Sequence, residues 1–283
     1  MKHLILALCV VTLLLAACSG IKFQAKREVD ALVLESFIPL ETKVDKAITD
    51  PASGTVYTLS RAQQQVFIYK DKELVNTIGG LGNMSYNFQR LTDIALDTEG
   101  NLLALDQMAS MIKKFSSGGR YIASLELKDL IQPELLCLNL DGELFIYDAA
   151  PGEIVNVSLL DGKEINRFGR FQFKNPTAIS CNRELISVYS ASENQSKVFD
   201  SFGQFIQERG GQVLADIHGN LLLVDKQIST ISYSGWPQAE EQQAKQLLPI
   251  LEPGEVTIFH DLLTHSGDWG VNIFKIKYKA AEQ

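Results

Sequence analysis

The sequence predicts an all-β protein: a six-bladed β-propeller of four-stranded antiparallel blades whose last blade is closed by an N-terminal strand. Three observations carry that expectation. A short turn pattern returns six times, each turn region is flanked by short apolar runs, and the two ends of the chain carry complementary pieces of one repeat. The turns read Ser53-Gly54-Thr55-Val56, Glu99-Gly100-Asn101-Leu102, Asp141-Gly142-Glu143-Leu144, Asn182-Arg183-Glu184-Leu185, His218-Gly219-Asn220-Leu221 and Ser266-Gly267-Asp268-Trp269, their second positions separated by 46, 42, 41, 36 and 48 residues. Periods of this size mark solenoids, propellers and arrays.

The second and third repeats define the unit. Leu91–Leu96, Leu102–Asp106, Met111–Phe115 and Tyr121–Leu125 are apolar runs separated by Glu99-Gly100 and Gly118-Gly119. Leu135–Asn139, Leu144–Asp148, Ile154–Val157 and Glu164–Phe168 repeat the plan around Asp141-Gly142 and Asp161-Gly162. Runs of four to six branched and aromatic residues bounded by Gly, Asp, Asn and Ser read as strands. Gly and Asp at the turns supply the positive φ that tight hairpins need. A four-stranded meander cannot cover both its faces alone. Radial stacking covers them and leaves only short edges, whereas a linear stack would need caps, of which neither end shows a sign. The last repeat, Glu255 to Tyr278, has room for about three strands: Val256–Phe259, a weak run near Leu262–Leu263 or Trp269, and Val271–Tyr278. Ala31–Phe37 is the expected fourth strand, a clasp supplied from the other end of the chain.

Residues 1–17 stand apart. Lys2 and His3 precede an apolar run from Leu4 to Ala17, too short to span a bilayer core of roughly 30 Å but suited to a secretory leader. It ends in Leu15-Ala16-Ala17-Cys18, which resembles the bacterial lipobox. That resemblance implies cleavage before Cys18, lipid on its thiol and a tether over residues 18–29. The propeller would then occupy 30–279 and a tail 280–283. Two or three acyl chains anchor stably, at roughly 0.8 kcal/mol per buried CH₂. Ser19, rather than Asp, leans toward the outer membrane where one exists. The net charge of −8 becomes −9 once Lys2 is removed. An acidic surface disfavours nucleic acid and flat adsorption on anionic lipid. Cys137 and Cys181 fall at different offsets from their turns, five before Gly142 and two before Arg183, which favours two buried free thiols over a bridge.

The run Asp97-x-x-Gly100-Asn101-Leu102-x-x-x-Asp106, then Ile112-x-x-Phe115 and Gly118, resembles the NHL repeat of six-bladed propellers, most fully at 97–121 and in part over 90–235. The recurrent aspartates Asp106, Asp148 and Asp225 are read as strand-end caps of the following turn, not as a site. Gly79-Gly80-Leu81-Gly82 with Asn83–Arg90 resembles the long connection into the next NHL blade. Strand residues follow it, so it is no phosphate loop, which needs a helix. Pro237–Leu251 is expected to carry one short helix, from about Ala239 to Leu248, because its proline and early glutamates suit a helix start.

Related propellers include metal-dependent lactonases and an amidating lyase, so the resemblance raises a hydrolase or lyase with its site in the axial channel. The metal candidates are weak: His260, His265 and Asp268, with Asp261 as another possible third ligand and His218 in a turn. A zinc site needs at least three protein ligands, and no nucleophile elbow is present. The leading expectation is a non-enzymatic binding or scaffold module without cofactor, anchored through Cys18, whose partner is an envelope protein, a peptide or a glycan.

Overall fold

The computed structural model describes residues 27–225, 228–231, 245–248 and 254–279. These form 24 strands in six four-stranded antiparallel sheets. Strand β1, Val29–Pro39, opens the chain and belongs to the last sheet. The first blade follows with β2 Lys46–Thr49, β3 Val56–Ser60, β4 Gln65–Lys70 and β5 Glu73–Gly79. The second has β6 Leu91–Leu96, β7 Leu102–Asp106, β8 Met111–Phe115 and β9 Tyr121–Glu126. The third has β10 Pro133–Leu138, β11 Leu144–Asp148, β12 Glu153–Val157 and β13 Glu164–Phe168. The fourth has β14 Ala178–Cys181, β15 Leu185–Ser190, β16 Gln195–Asp200 and β17 Phe205–Gly210. The fifth has β18 Gln212–Ala215, β19 Leu221–Val224, β20 Ile228–Ile231 and β21 Lys245–Leu248. The sixth has β22 Glu255–Phe259, β23 Leu262–Gly267 and β24 Gly270–Tyr278, completed by β1.

Burial explains why the strands differ in composition. The inner strands β2, β3, β6 and β7 are buried at every position, so they read as continuous apolar runs such as Ile94-Ala95-Leu96. The outer strands β5, β9 and β17 are mostly exposed and carry Glu, Asn, Ser and Gln. The first strands of successive blades touch in turn, β2 to β6, β10, β14, β18 and β22 and back to β2, which closes the ring. Six apolar clusters fill the six seams between blades. One packs Tyr57, Leu59 and Ile68 against Phe88, Ile94 and Phe115; another packs Phe145 and Tyr147 against Ile186 and Phe199. Gly162, at φ +72°, sits where blade three crosses the end of β9; a Cβ there would lie 1.8 Å from the Glu126 carbonyl oxygen.

The clasp forms as expected and is longer than Ala31–Phe37. β1 pairs antiparallel with β24 from Val29↔Tyr278 to Pro39↔Gly270, and the Lys279 amide donates to the Glu28 carbonyl at 2.9 Å. Three other expectations need correction. Cys137 and Cys181 form a disulfide, with their Cα atoms 6.0 Å apart, rather than two free thiols. Cys137 pairs with Phe145 and Cys181 with Ile186, equivalent ladder positions on adjacent inner strands. The fourth blade's first hairpin is simply three residues shorter than the third's, which shifted the offsets measured from the turn.

The helix expected from Ala239 to Leu248 is not formed in its described part. Lys245–Leu248 is β21, and Gln246 pairs with Ser229; residues 239–244 lie outside the described residues. Local helix propensity is a weak prior, and the open hydrogen-bonding edge of β20 outweighs it. The sixth turn was displaced by one hairpin. The first hairpin of the sixth blade turns at His260-Asp261, with His260 at φ +54°, and Gly267 pairs with Gly270 across the next one.

Candidate functional site

The antiparallel ladder gives the disc two distinct faces. The front face holds the starts of the inner strands, the blade-to-blade connections and the second-to-third-strand turns. The back face holds the other hairpin turns. On the back, Asp50, Asp97, Asn139, Asn182 and Asp216 occupy one recurring position. Each accepts backbone amides of its own turn, for example Asn101 N to Asp97 Oδ1 at 2.8 Å and Glu143 N to Asn139 Oδ1 at 2.9 Å. Short polar side chains here close the turn locally. Asn182 also donates to the Asp216 carbonyl at 2.7 Å, tying blade four to blade five.

The recurrent strand-end aspartates are architectural, and they reach further than the following turn. Asp106 accepts from Gln89 N at 3.0 Å and Arg90 N at 2.9 Å, and from Ala109 N; Lys113 Nζ pairs with it at 3.0 Å. Asp148 accepts from Ile131 N and Gln132 N. Each therefore clamps the connection entering its own blade. Asp225 instead accepts from the Asn194 side chain at 3.3 Å.

The inner strands enclose an axial cavity of about 50 Å³. Ile48, Ile94, Leu96, Leu138, Leu214 and Ile258 contribute apolar walls, and the Cys137–Cys181 bridge lies on one side. Charge gathers where the inner strands begin. Lys46 Nζ donates to Asp93 Oδ1 at 2.6 Å, both side chains almost fully buried. Asp93 also accepts from Ile94 N at 2.8 Å and Leu136 N at 2.9 Å, so one carboxylate links three blades. Gln212 Nε2 donates to the Val256 carbonyl at 3.0 Å. Glu255 starts β22 and reaches solvent only in part, at a cavity deep in the disc. That burial pushes its carboxyl up to about 7; Lys46 and Arg61 oppose the rise, and Asp93 and Asp45 add to it. No described side chain donates a hydrogen bond to that carboxyl.

The sequence-level metal candidates are not brought together. His260 lies in a back-face hairpin, its ring edge-on to Phe259. His265 lies within β23 rather than in a turn, 2% exposed, with Asn272 Nδ2 3.4 Å from its Nδ1. Asp268 is in a front-face turn, paired with Lys43 at 2.8 Å, and Asp261 pairs with Lys275. His218 packs against Tyr278. Among the described residues no three His, Cys, Asp or Glu side chains are grouped to hold a metal ion. Reasoning along the sequence missed Lys46, Asp93 and Glu255. Their only signal was a charged residue at the head of an apolar inner strand.

The front face also carries exposed large apolar side chains on its loops. Leu81, Met84 and Tyr86 lie on the first blade connection, Met108 on a turn, Ile131 and Phe171 on later connections, and Trp269 on the last turn. Phe171 is 88% exposed and Trp269 74%.

A closed ring of six four-stranded sheets around a narrow axis defines a β-propeller. The profile of a family described as 6-bladed beta-propeller (DUF5128) matches residues 21–192, more than half of the chain, and the protein belongs to that family. No curated protein matches it in sequence. Solved structures with the same fold include a gluconolactonase from Xanthomonas campestris (12% identity, TM-score 0.60, covering 89% of this chain and 97% of that one). A streptogramin B lyase (10% identity, TM-score 0.56, 87% and 98%) is similar to the same degree. So is a catalytically inactive virginiamycin B lyase from Staphylococcus aureus with quinupristin (10% identity, TM-score 0.57, 87% and 100%). At these identities the likeness is one of fold.

Proposed function

We propose that this propeller is a binding module of the bacterial cell envelope, lipid-anchored through Cys18, which offers its front face to another envelope protein. The observation that carries this reading is the set of seven large apolar side chains exposed, among the described residues, on the front-face loops, against three, Leu159, Leu160 and Phe202, on the back-face turns. Exposed apolar groups gathered on one surface and bordered by polar ones mark interaction sites, and loops on a rigid scaffold commonly carry recognition. The anchor is compatible with that geometry. The described chain begins on the back face, where Asn220 Nδ2 donates to the Arg27 carbonyl at 2.8 Å. A tether from Cys18 would span roughly 35–40 Å at about 3.3 Å per residue, long enough for the disc to turn freely near the bilayer and present its front face. The disulfide suits an oxidising compartment. The clamped aspartates Asp106 and Asp148 support an NHL-type blade.

A photo-crosslinking residue at Trp269 or Met84, introduced into cells, is expected to give a discrete protein adduct, while one at Leu160 on the back face gives none. Front-face positions that stay uncrosslinked, or a Cys18→Ser chain that still sediments with membranes, would refute the proposal.

One observation favours a second reading, a hydrolase or lyase. Glu255 faces the axial cavity with a carboxyl near neutrality, as a general acid or base requires. Turnover of lactone substrates that disappears in Glu255→Gln would support it.

A further inference from the structure

We infer that the axial mouth is a receptor for one cationic side chain, a lysine borne on an apolar loop of the protein partner. The inference rests on the front face being a docking surface and names the chemistry of its occupant.

Three features converge on it. First, the charges at the mouth are one short of balance. Lys46 and Asp93 neutralise each other at 2.6 Å, and two main-chain amides also donate to Asp93. Glu255 is the carboxyl left over, with cavity space in front of it. An incoming ammonium would convert a pair and a lone carboxylate into two pairs. A charge-assisted bond away from bulk water is among the stronger polar contacts. Second, the cavity has the right scale. About 50 Å³ accommodates a terminal aminomethyl group with a water. Third, the same face exposes apolar side chains. Leu81, Ile131, Phe171 and Trp269 rise on its loops, suited to hydrophobic residues that flank the inserted lysine.

The charged groups facing Glu255 are Lys46 on β2, Asp93 on β6, and Asp45 and Arg61 from the loops of the first blade.

The test uses the purified full-length chain and two fluorescent peptides, acetyl-Phe-Leu-Lys-Leu-Phe-amide and its norleucine counterpart. At pH 8 the lysine peptide is expected to bind about tenfold more tightly, a difference of about 1.4 kcal/mol. The preference should shrink at pH 5.5, where Glu255 is protonated. Glu255→Gln, which keeps the shape, should erase both the preference and its pH dependence. Trp269→Ala should weaken both peptides equally. Equal binding of the two peptides, no binding of either, or a pH dependence that survives Glu255→Gln, would each overturn the inference. Crosslinks at Trp269 can persist in all three cases, so the docking surface and its lysine receptor fail separately.

Discussion

At the scale of single residues, Asp93 and Glu255 place opposite demands on stability. Asp93 is a buried charge with a full set of partners. Asp93→Ala leaves the Lys46 ammonium and two amides unpaired inside the disc. Breaking one half of a buried pair costs about 3–5 kcal/mol, readable by urea denaturation. Replacing both members, Lys46→Met with Asp93→Leu, should recover part of that loss. Glu255 is held partly against its preference. Its carboxyl titrates near 7 in the fold and near 4.5 when unfolded. Below about pH 4.5 both states are protonated and nothing is lost. As pH rises from there to 7 the unfolded chain releases its proton first, and the group destabilises the fold by up to about 3 kcal/mol, fully present above 7. Glu255→Gln should therefore raise the melting temperature at pH 8 and leave it unchanged at pH 4. Neither residue was legible in the sequence, because their relationship joins positions far apart along the chain and exists only once the ring has closed. The turn residues Asp97 and Asn139 were legible, since their chemistry is complete within four or five residues.

Single elements show the same contrast. β1 was visible as an apolar run without a repeat of its own, and the sixth repeat as one strand short. The β1–β24 ladder joins them along nine paired positions. A chain begun at residue 40 should lose cooperative unfolding and expose the edge of β24, detectable by calorimetry and by aggregation at micromolar concentration. The short hairpin between β14 and β15 was the opposite case. Without a glycine at Arg183 its length could not be judged, and a three-residue miscount separated two cysteines that are bonded. The helix-like composition before Leu248 misled for a related reason: the fourth strand of a blade is chosen by the edge it must pair with, not by its own residues.

For the whole molecule, the disulfide and the clasp divide the work of closure. β1 and β24 close the ring by main-chain pairing, and Cys137–Cys181 fastens the third blade to the fourth on the other side of the chain's course. The bridge closes a loop of 44 residues. By chain entropy it is expected to stabilise the fold by about 4 kcal/mol, fewer if the reduced chain keeps structure. Cys137→Ser with Cys181→Ser should lower the denaturation midpoint by a corresponding amount without changing the fold, as circular dichroism would show.

The hydrogen bond from the Lys279 amide to the Glu28 carbonyl holds the residue after β24 beside the residue before β1. A short linker could weld those two positions and new termini could be cut elsewhere, for instance in the loop around Phe171. Such a circular permutant would keep every strand pairing while relocating the chain's origin to the opposite surface. A bulky domain fused at that new origin would crowd the front-face loops, and any recognition that needs them free would weaken although folding did not.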